Sequence, residues 1–525
     1  AFAIAAFVAA VFLVGQAVAR YAATTTTELR TLRAVGLTPR QTVAAAMAVP
    51  VIAGVVGLAL GVIGAYAASA LFPLGTADLF EPAPGWSADW IVFAPGLVLG
   101  ALLVAAGAAT AAWLSVESAR RNAPARRSTI ARVVGGVGVA VPIAVGTRFA
   151  LEPGRGRTSV PVRPALIGAV TGVLGVLAAF TFSRGVSDAV GHPERFGQTQ
   201  QLEMFVGANS EDFLPADTVL SIAAANPDVI GVDDARQDIA STLDGNGTIA
   251  LYSHTGGAKA MPVVVLSGRL PAAADEVMLG PRTLTAQHIR IGDVLKLRND
   301  KKTIAYTVTG TGLVPEGPRN GYADGGWVTA GGYDALFTGH LFHTLLVALR
   351  PGASVNGTNA ALSLAIGKAI PEAGGYGFSP PDTPVEVAEI RQVRILPIVL
   401  GGFLALLAVG AVGLALATAV RRRSHDVAVL RALGMTQAQC RWIVVTQASV
   451  LALIGLLFGV PLGLALGRTV WRAVADYAPL QYVTPTAAWA LLAVVPAALL
   501  IANLLAAVPG RHAARLKIAH VLRTE

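Results

Sequence analysis

The chain has 525 residues, 54% of them hydrophobic and only 14% charged, with a mean hydropathy of +0.61 and a formal net charge of +9. Its apolar residues come in seven blocks free of Asp, Glu, Lys and Arg: 1–19, 43–72, 90–113, 165–182, 395–420, 442–467 and 487–508. A bilayer span needs about 20 such residues, so this pattern excludes an ordinary soluble globular protein.

The basic excess is not a nucleic-acid footprint, because of where it falls. Segments 20–42, 117–163, 421–441 and 509–525 hold 22 of the 40 basic residues and 5 of the 31 acidic ones, whereas segment 184–392 holds 15 basic and 22 acidic. Lys/Arg enrichment marks the cytoplasmic side of a membrane. Seven spans alternate consistently with these loops only if 184–392 is extracytoplasmic and the C-terminus cytoplasmic. With no initiator Met and no signal-peptide n-region, the chain is expected to start partway through a longer protein. Cys440 is the only cysteine, so no disulfide framework is available.

In chain order, span 1–19 ends at Arg20. One of Thr24 to Thr27 supplies an N-cap for a short helix from Glu28 to Gly36. That helix groups Leu29, Leu32 and Val35, and leaves Glu28, Arg30 and Arg33 in water. Gly36 permits a break, and Thr38-Pro39 starts the second span. Gly54, Gly57, Gly61 and Gly64 recur along it at a spacing that lets helix backbones approach closely. Loop 73–89 is short and acidic, with Trp86 and Trp90 suited to the interface. The apolar piece 133–145 is too short to span and reads as interfacial or packed against the bundle.

Segment 184–392 changes character, with short alternating runs and Gly/Pro punctuation. Strands are expected at 202–206, from 229, and at 344–349, with helices at 217–225 and 357–370 and extended chain at 376–378. Two strand–helix–strand units flank a β-rich insert near 253–330, suggesting a split α+β subdomain. The last three spans and a basic tail follow.

No P-loop is present, so nucleotide chemistry is not expected in this chain. The spans carry no ionisable residue for an ion relay, and Gln16, Gln447 and Asn503 read as interhelical hydrogen-bond partners. His340-x-x-His343 is the only close His pair. With no Cys or acidic residue at ligand spacing it reads as surface or core histidine, not as a metal centre. No nucleophile motif is found.

One pattern is not explained by loop charge. Glu28-Leu-Arg-Thr-Leu-Arg-Ala-Val-Gly-Leu-Thr-Pro-Arg-Gln41 and Asp426-Val-Ala-Val-Leu-Arg-Ala-Leu-Gly-Met-Thr-Gln-Ala-Gln439 align without a gap, each between two apolar runs. The register continues, with Gly57 and Gly61 opposite Gly455 and Gly459. A period this long is a duplicated membrane unit. A short helix with an apolar face, presented by two spans, suits docking in a partner's groove. Arg421-Arg-Arg423, by contrast, reads as an ordinary orienting charge cluster.

Segment 421–468 resembles the FtsX-like permease domain of MacB/LolC/LolE-type ABC transporters, and 28–72 resembles a second copy. Gly268-Arg-Leu-Pro271, Asp275-Glu-Val-Met-Leu-Gly280 and Gly292-Asp293 resemble the outer MacB-like domain. Phe149-Ala-Leu-Glu-Pro-Gly-Arg-Gly-Arg157 is similar to actinobacterial members that fuse two permeases in one chain. The resemblance implies an α-helical polytopic membrane protein with one α+β extracytoplasmic MacB-like domain. Its expected parts are an incomplete first unit (1–115), a basic cytoplasmic linker (116–163), a span (164–183), the outer domain (184–392), a second unit (393–508) and a tail (509–525). It implies a non-catalytic bacterial plasma-membrane subunit, worked by a separate cytoplasmic ATPase dimer that binds the ATP and Mg. Glu28, Leu32, Arg33, Gly36 and Thr38, and Asp426, Leu430, Arg431, Gly434 and Thr436, are carried over as ATPase contacts. Two functions stay open: export or extraction of a lipid, lipoprotein, peptide or drug, and mechanical regulation of an envelope hydrolase without transport. A stand-alone membrane receptor or enzyme is the outlying third.

Overall fold

The computed structural model describes residues 36, 38–70, 85–120, 138–152, 162–243, 247–299, 302–392 and 395–514. The expected span 1–19 and the expected helix from Glu28 to Val35 lie outside them. Six described helices are long and apolar enough to cross a membrane, and the chain is a polytopic helical membrane protein that also carries a sheet-containing α+β unit. Helices suit the apolar runs because hydrocarbon offers no partner for a free N–H or C=O. Two compact units result: residues 1–184, 392–470 and 485–525 form one, and 185–391 with 471–484 form the other.

In the helical unit, α1 (Pro39–Ser69) and α2 (Trp90–Arg120) pair as a hairpin. A Cβ on Gly54 would lie 2.5 Å from Val104, and one on Gly100 would lie 2.7 Å from Leu58. Small residues therefore set this helix–helix distance. Tyr66 near the end of α1 meets Trp86 just before α2, with ring centroids 5.4 Å apart.

The remaining helices of this unit are α3 (Val141–Leu151) and α4 (Val162–Gly191), then α10 (Leu396–Arg422), α11 (Ser424–Ala432), α12 (Gln437–Tyr477) and α13 (Ala488–Ala514). Helices α5 to α9 belong to the other unit. Along α12, Gly455, Gly459, Gly463 and Gly467 fall every fourth residue and face α4. A Cβ on Gly459 would sit 2.9 Å from the Val170 carbonyl oxygen. One on Gly463 would sit 2.8 Å from that of Leu174, and one on Gly467 would sit 2.8 Å from that of Ala178. Backbone cannot retreat from an added methyl as a side chain can, so this seam requires glycine. Gly172 and Gly175 of α4 instead meet side chains of α10, those of Ala408 and Leu404. Helix α4 is thus clasped on two sides. The Asn503 amide donates to the Leu499 carbonyl, and the Ser449 hydroxyl lies 3.1 Å from Asn503 Oδ1, an interhelical hydrogen bond between α12 and α13. Gln447 is buried. Gln16 lies outside the described residues.

The other unit is built on one ten-stranded sheet. In chain order its elements are β1 (Leu202–Ala208), β2 (Glu211–Asp212), α5 (Ala216–Ala225), β3 (Val229–Thr242), β4 (Thr248–His254), β5 (Val265–Gly268), β6 (Glu276–Leu279), α6 (Pro281–Ala286), β7 (Val294–Arg298), β8 (Thr303–Gly312), β9 (Gly326–Thr329), α7 (Ala330–Leu336), β10 (Phe342–Leu349), α8 (Val355–Ala369) and α9 (Val385–Gln392). The strand order is β2-β1-β10-β3-β4-β9-β6-β8-β5, with β7 beside β3 and β8. The 14-residue strand β3 joins the two halves, because its first part pairs with β10 and its later part with β4. Helices α5 and α8 cover β1 and β10 through Val219, Ala223, Leu362 and Ile366, packed on Leu202, Met204, Leu345 and Val347. The insert has its own core around Leu251, Val277, Leu297, Tyr306 and Val328.

Of the two strand–helix–strand units expected, the first is present as β1–α5–β3, while the second has β10 and α8 but no closing strand; both share one continuous sheet with the insert. Residues 376–378 form no strand, although Ser379 bridges Glu203. The motif residues Arg269 and Glu276 form a two-pronged ion pair of 2.7 and 2.5 Å, and the Ala272 N–H donates to the same carboxylate at 2.8 Å. The Arg269 guanidinium, with that backbone donor, holds the Glu276 carboxyl down at about 2.

Gly463→Val tests the α4–α12 seam. Overpacking against backbone should cost about 1–3 kcal/mol, lowering the thermal midpoint of the purified full chain. Gly402→Ala, where no described atom lies within 4 Å, should change it little. Equal midpoints for the two variants would contradict the seam.

Candidate coupling helix and its support

In its second copy the duplicated stretch forms a helix, a reversal and a second helix. In the second copy, α11 carries Asp426 in its first turn, where a carboxylate favours the positive helix end. It ends in a Schellman motif: Met435 N–H donates to Leu430 C=O at 3.2 Å, and Gly434 N–H donates to Arg431 C=O at 3.0 Å. Gly434 has φ +104°, a left-handed backbone that glycine alone adopts without strain. Helix α12 then starts in a capping box. The Thr436 N–H donates to Gln439 Oε1 at 2.8 Å, and the Gln439 N–H donates to Thr436 Oγ1 at 3.2 Å.

The first copy shows the same devices where it is described. Gly36 has φ +114°. The Thr38 N–H donates to Gln41 Oε1 at 2.9 Å, the Gln41 N–H returns to Thr38 Oγ1 at 3.4 Å, and Pro39 occupies the first helical turn. Gly36, Thr38, Gly434 and Thr436 therefore each have a backbone reason to recur. Leu430 stands at the Schellman position whose side chain commonly meets the residue after the glycine. Glu28, Leu32 and Arg33 lie outside the described residues, while Asp426, Leu430 and Arg431 are half-buried.

What α11 offers outward is a different pair. Leu433 is 79% exposed and Val429 39% exposed, one turn apart, while Val427 and Ala428 on the opposite side are buried. Leu433 is the helix's closing residue. Reading the repeat for identical residues passes over it, since Val35 stands at the matching position. The signal was the apolar spacing 429–433 on a helix that already buries another face.

The root of α11 is fastened by Arg423. This residue joins α10 to α11 and is only 3% exposed. Its Nη2 donates to the Glu152 carbonyl, and its guanidinium carbon lies 4.3 Å from the centre of the Phe149 ring. Burial pushes its pKa down to about 10, with Asp426 and Glu152 opposing the shift, so it remains a cation at neutral pH. Arg423 is thus not the solvated orienting charge that its sequence context implies. Phe149 and Glu152 belong to α3 and its C-cap; α3 begins within the apolar piece 133–145, of which 133–137 lie outside the described residues. Gly146 of α3 lies so close to α12 that a Cβ would be 2.7 Å from the Ile443 carbonyl oxygen. Ala150 joins the core with Leu416, Val427, Cys440 and Val444. Helix α3 therefore wedges the point where α10, α11 and α12 meet.

Comparison with known families agrees with these observations. The model described as FtsX-like permease C-terminal matches residues 1–118 and again 398–518, and the MacB-like periplasmic core domain matches 165–364. The chain belongs to the FtsX/MacB-type permeases of ABC transporters. No curated protein matches it. Among solved structures it is similar to a domain of a protein described as a permease from Porphyromonas gingivalis. That match has 14% identity over 37% of this chain and 97% of that one, with a TM-score of 0.24, a likeness that establishes nothing about fold or function. Permeases of this family are typically non-catalytic membrane subunits, and the family implies an ABC ATPase partner.

Arg423→Met probes the wedge. Losing the cation–π contact should weaken the anchorage of α11 by about 1–2 kcal/mol. Hydrogen exchange of α11 amides should then rise roughly tenfold, while the β unit is unaffected. Unchanged exchange would show that α11 does not depend on α3.

Proposed function

We propose that this chain is the membrane subunit of an ATP-driven complex, and that α11 with its counterpart at 28–36 receives the movement of a cytoplasmic ATPase dimer. The observation that carries this reading is the exposed pair Val429 and Leu433 on a short helix held by a buried cation at one end and a glycine reversal at the other. An apolar helix face of this kind fits a groove on a partner. Fixing both ends lets a push on the helix reach the spans instead of bending a loop.

Two features support onward relay. Helix α12 leaves the reversal directly, and its last residues, from Trp471, belong to the β unit. Within that unit Trp471–Thr484 are tied down: Tyr322 Oη donates to the Ala478 carbonyl, and Gln481 N–H donates to the Arg195 carbonyl at 2.8 Å. A displacement of α12 along its axis would thus be delivered to the sheet. On this reading the β unit, outside the membrane, handles cargo at the outer face, and the complex exports or extracts a lipid, lipoprotein or peptide. The absence of ionisable residues from the spans favours ATP-driven work over an ion-coupled carrier.

Leu433→Asp should abolish co-purification of the cytoplasmic ATPase partner, since a carboxylate in an apolar groove loses its hydration without a partner. Gel-filtration behaviour should match the unsubstituted protein. Leu430→Ala should have the smaller effect on association. Retained ATPase in the Leu433→Asp complex would remove α11 as the docking element.

A further inference from the structure

The β1–β2 hairpin brings a carboxylate to the His pair that the sequence leaves isolated. Asp212 Oδ1 lies 2.7 Å from His343 Nδ1 and 3.3 Å from His340 Nε2, and the three ligand atoms all fall within 4.8 Å of one another. Asp212 comes from β2, His340 from the loop before β10 and His343 from β10 itself, so no local spacing could have announced the set. Both histidines are buried, at 8% and 3% exposure, while Asp212 faces solvent.

Each donor has a suitable orientation. His340 Nε2 is buried and makes no hydrogen bond to any described atom, and a backbone hydrogen bond at Glu211 engages the ring. His343 Nε2 meets Asp234 Oδ1 of β3 at 2.5 Å. With a carboxylate at each nitrogen, metal-free His343 donates from both; a metal would take the place of the Nδ1 proton, while Asp234 keeps the Nε2–H and so the ring's orientation, as it does for metal-bound histidine. Room is kept by Gly207 of β1, where a Cβ would lie 2.3 Å from Asp212 Oδ1 and 3.0 Å from His340 Nε2.

We infer that Asp212, His340 and His343 form a divalent metal site of the zinc class, with Asp234 as the positioning residue behind His343. Two imidazoles and one carboxylate suit zinc, with bonds of about 2.0–2.2 Å and a fourth position left to water or an exchangeable ligand. Tetrahedral ligands at that radius stand about 3.3 Å apart. The His340–Asp212 separation already matches, and the His343–Asp212 contact has to open by about half an ångström. The exposed Asp212 side chain can make that adjustment. Bound metal would clip the β1–β2 hairpin to the start of β10.

The test uses the full chain, purified without a polyhistidine tag, stripped with EDTA and dialysed against zinc buffered near micromolar. Plasma mass spectrometry should find one zinc per chain. Asp212→Ala and His340→Ala should each weaken binding at least about tenfold, and Asp234→Asn by roughly ten- to hundredfold. Zinc should raise the thermal midpoint of the unsubstituted protein and not that of Asp212→Ala. Because Asp212 is exposed, its variant decides the matter even if His340→Ala fails to fold. A stoichiometry far below one, or equal zinc uptake by Asp212→Ala, would overturn the assignment and leave His343 as an ion-paired core histidine.

Discussion

At Gly434 the backbone turns through a left-handed conformation that lets α11 end and α12 begin within four residues. Everything attributed to α11 depends on that reversal. A side chain at that φ would be strained, and without the turn the helix would have neither a fixed end nor a fixed angle to the span it serves. The Schellman bonds close one helix, and the Thr436–Gln439 box opens the next. The buried Arg423, held by Phe149 and the Glu152 carbonyl, fixes the other end. A nine-residue helix is too short to be stable alone; here it is a rigid part because both termini and one face are held.

The glycine seam has the complementary role. By admitting α4 to backbone contact, Gly455 to Gly467 make α12 and α4 a closely packed pair, so axial force on one is shared by the other. Dense packing transmits small displacements that a loose apolar interface would absorb. The chain invests glycine at two different scales: single left-handed residues reverse it, and a fourfold-spaced row brings helices together.

Much of this was legible in the sequence. Uncharged blocks marked the spans, and the repeat marked the helix–turn–helix, because both depend on local chemistry that single residues announce. The split of the β segment into strand–helix ends and a β-rich middle was likewise visible in alternation and turn residues. What could not be read was what tertiary contact decides. Arg423 looks like its neighbours, the exposed Arg421 and half-buried Arg422, until α3 is packed over it. Leu433 differs from Val35 in the aligned copy, so identity alone concealed it, while the shared Gly and Thr drew attention for what proves a backbone reason. Asp212 lies far in sequence from His340 and His343, and only the pairing of β1 with β10 brings them together.

The central claim is that α11 faces the compartment holding the ATPase, and the β unit the opposite one. Cys440 is the only cysteine and is buried, so a single introduced thiol can report sidedness. With a membrane-impermeant maleimide on intact cells, Gly357→Cys in α8 should label at once, and Leu433→Cys only after the membrane is opened. Labelling of Leu433→Cys on intact cells would contradict the account.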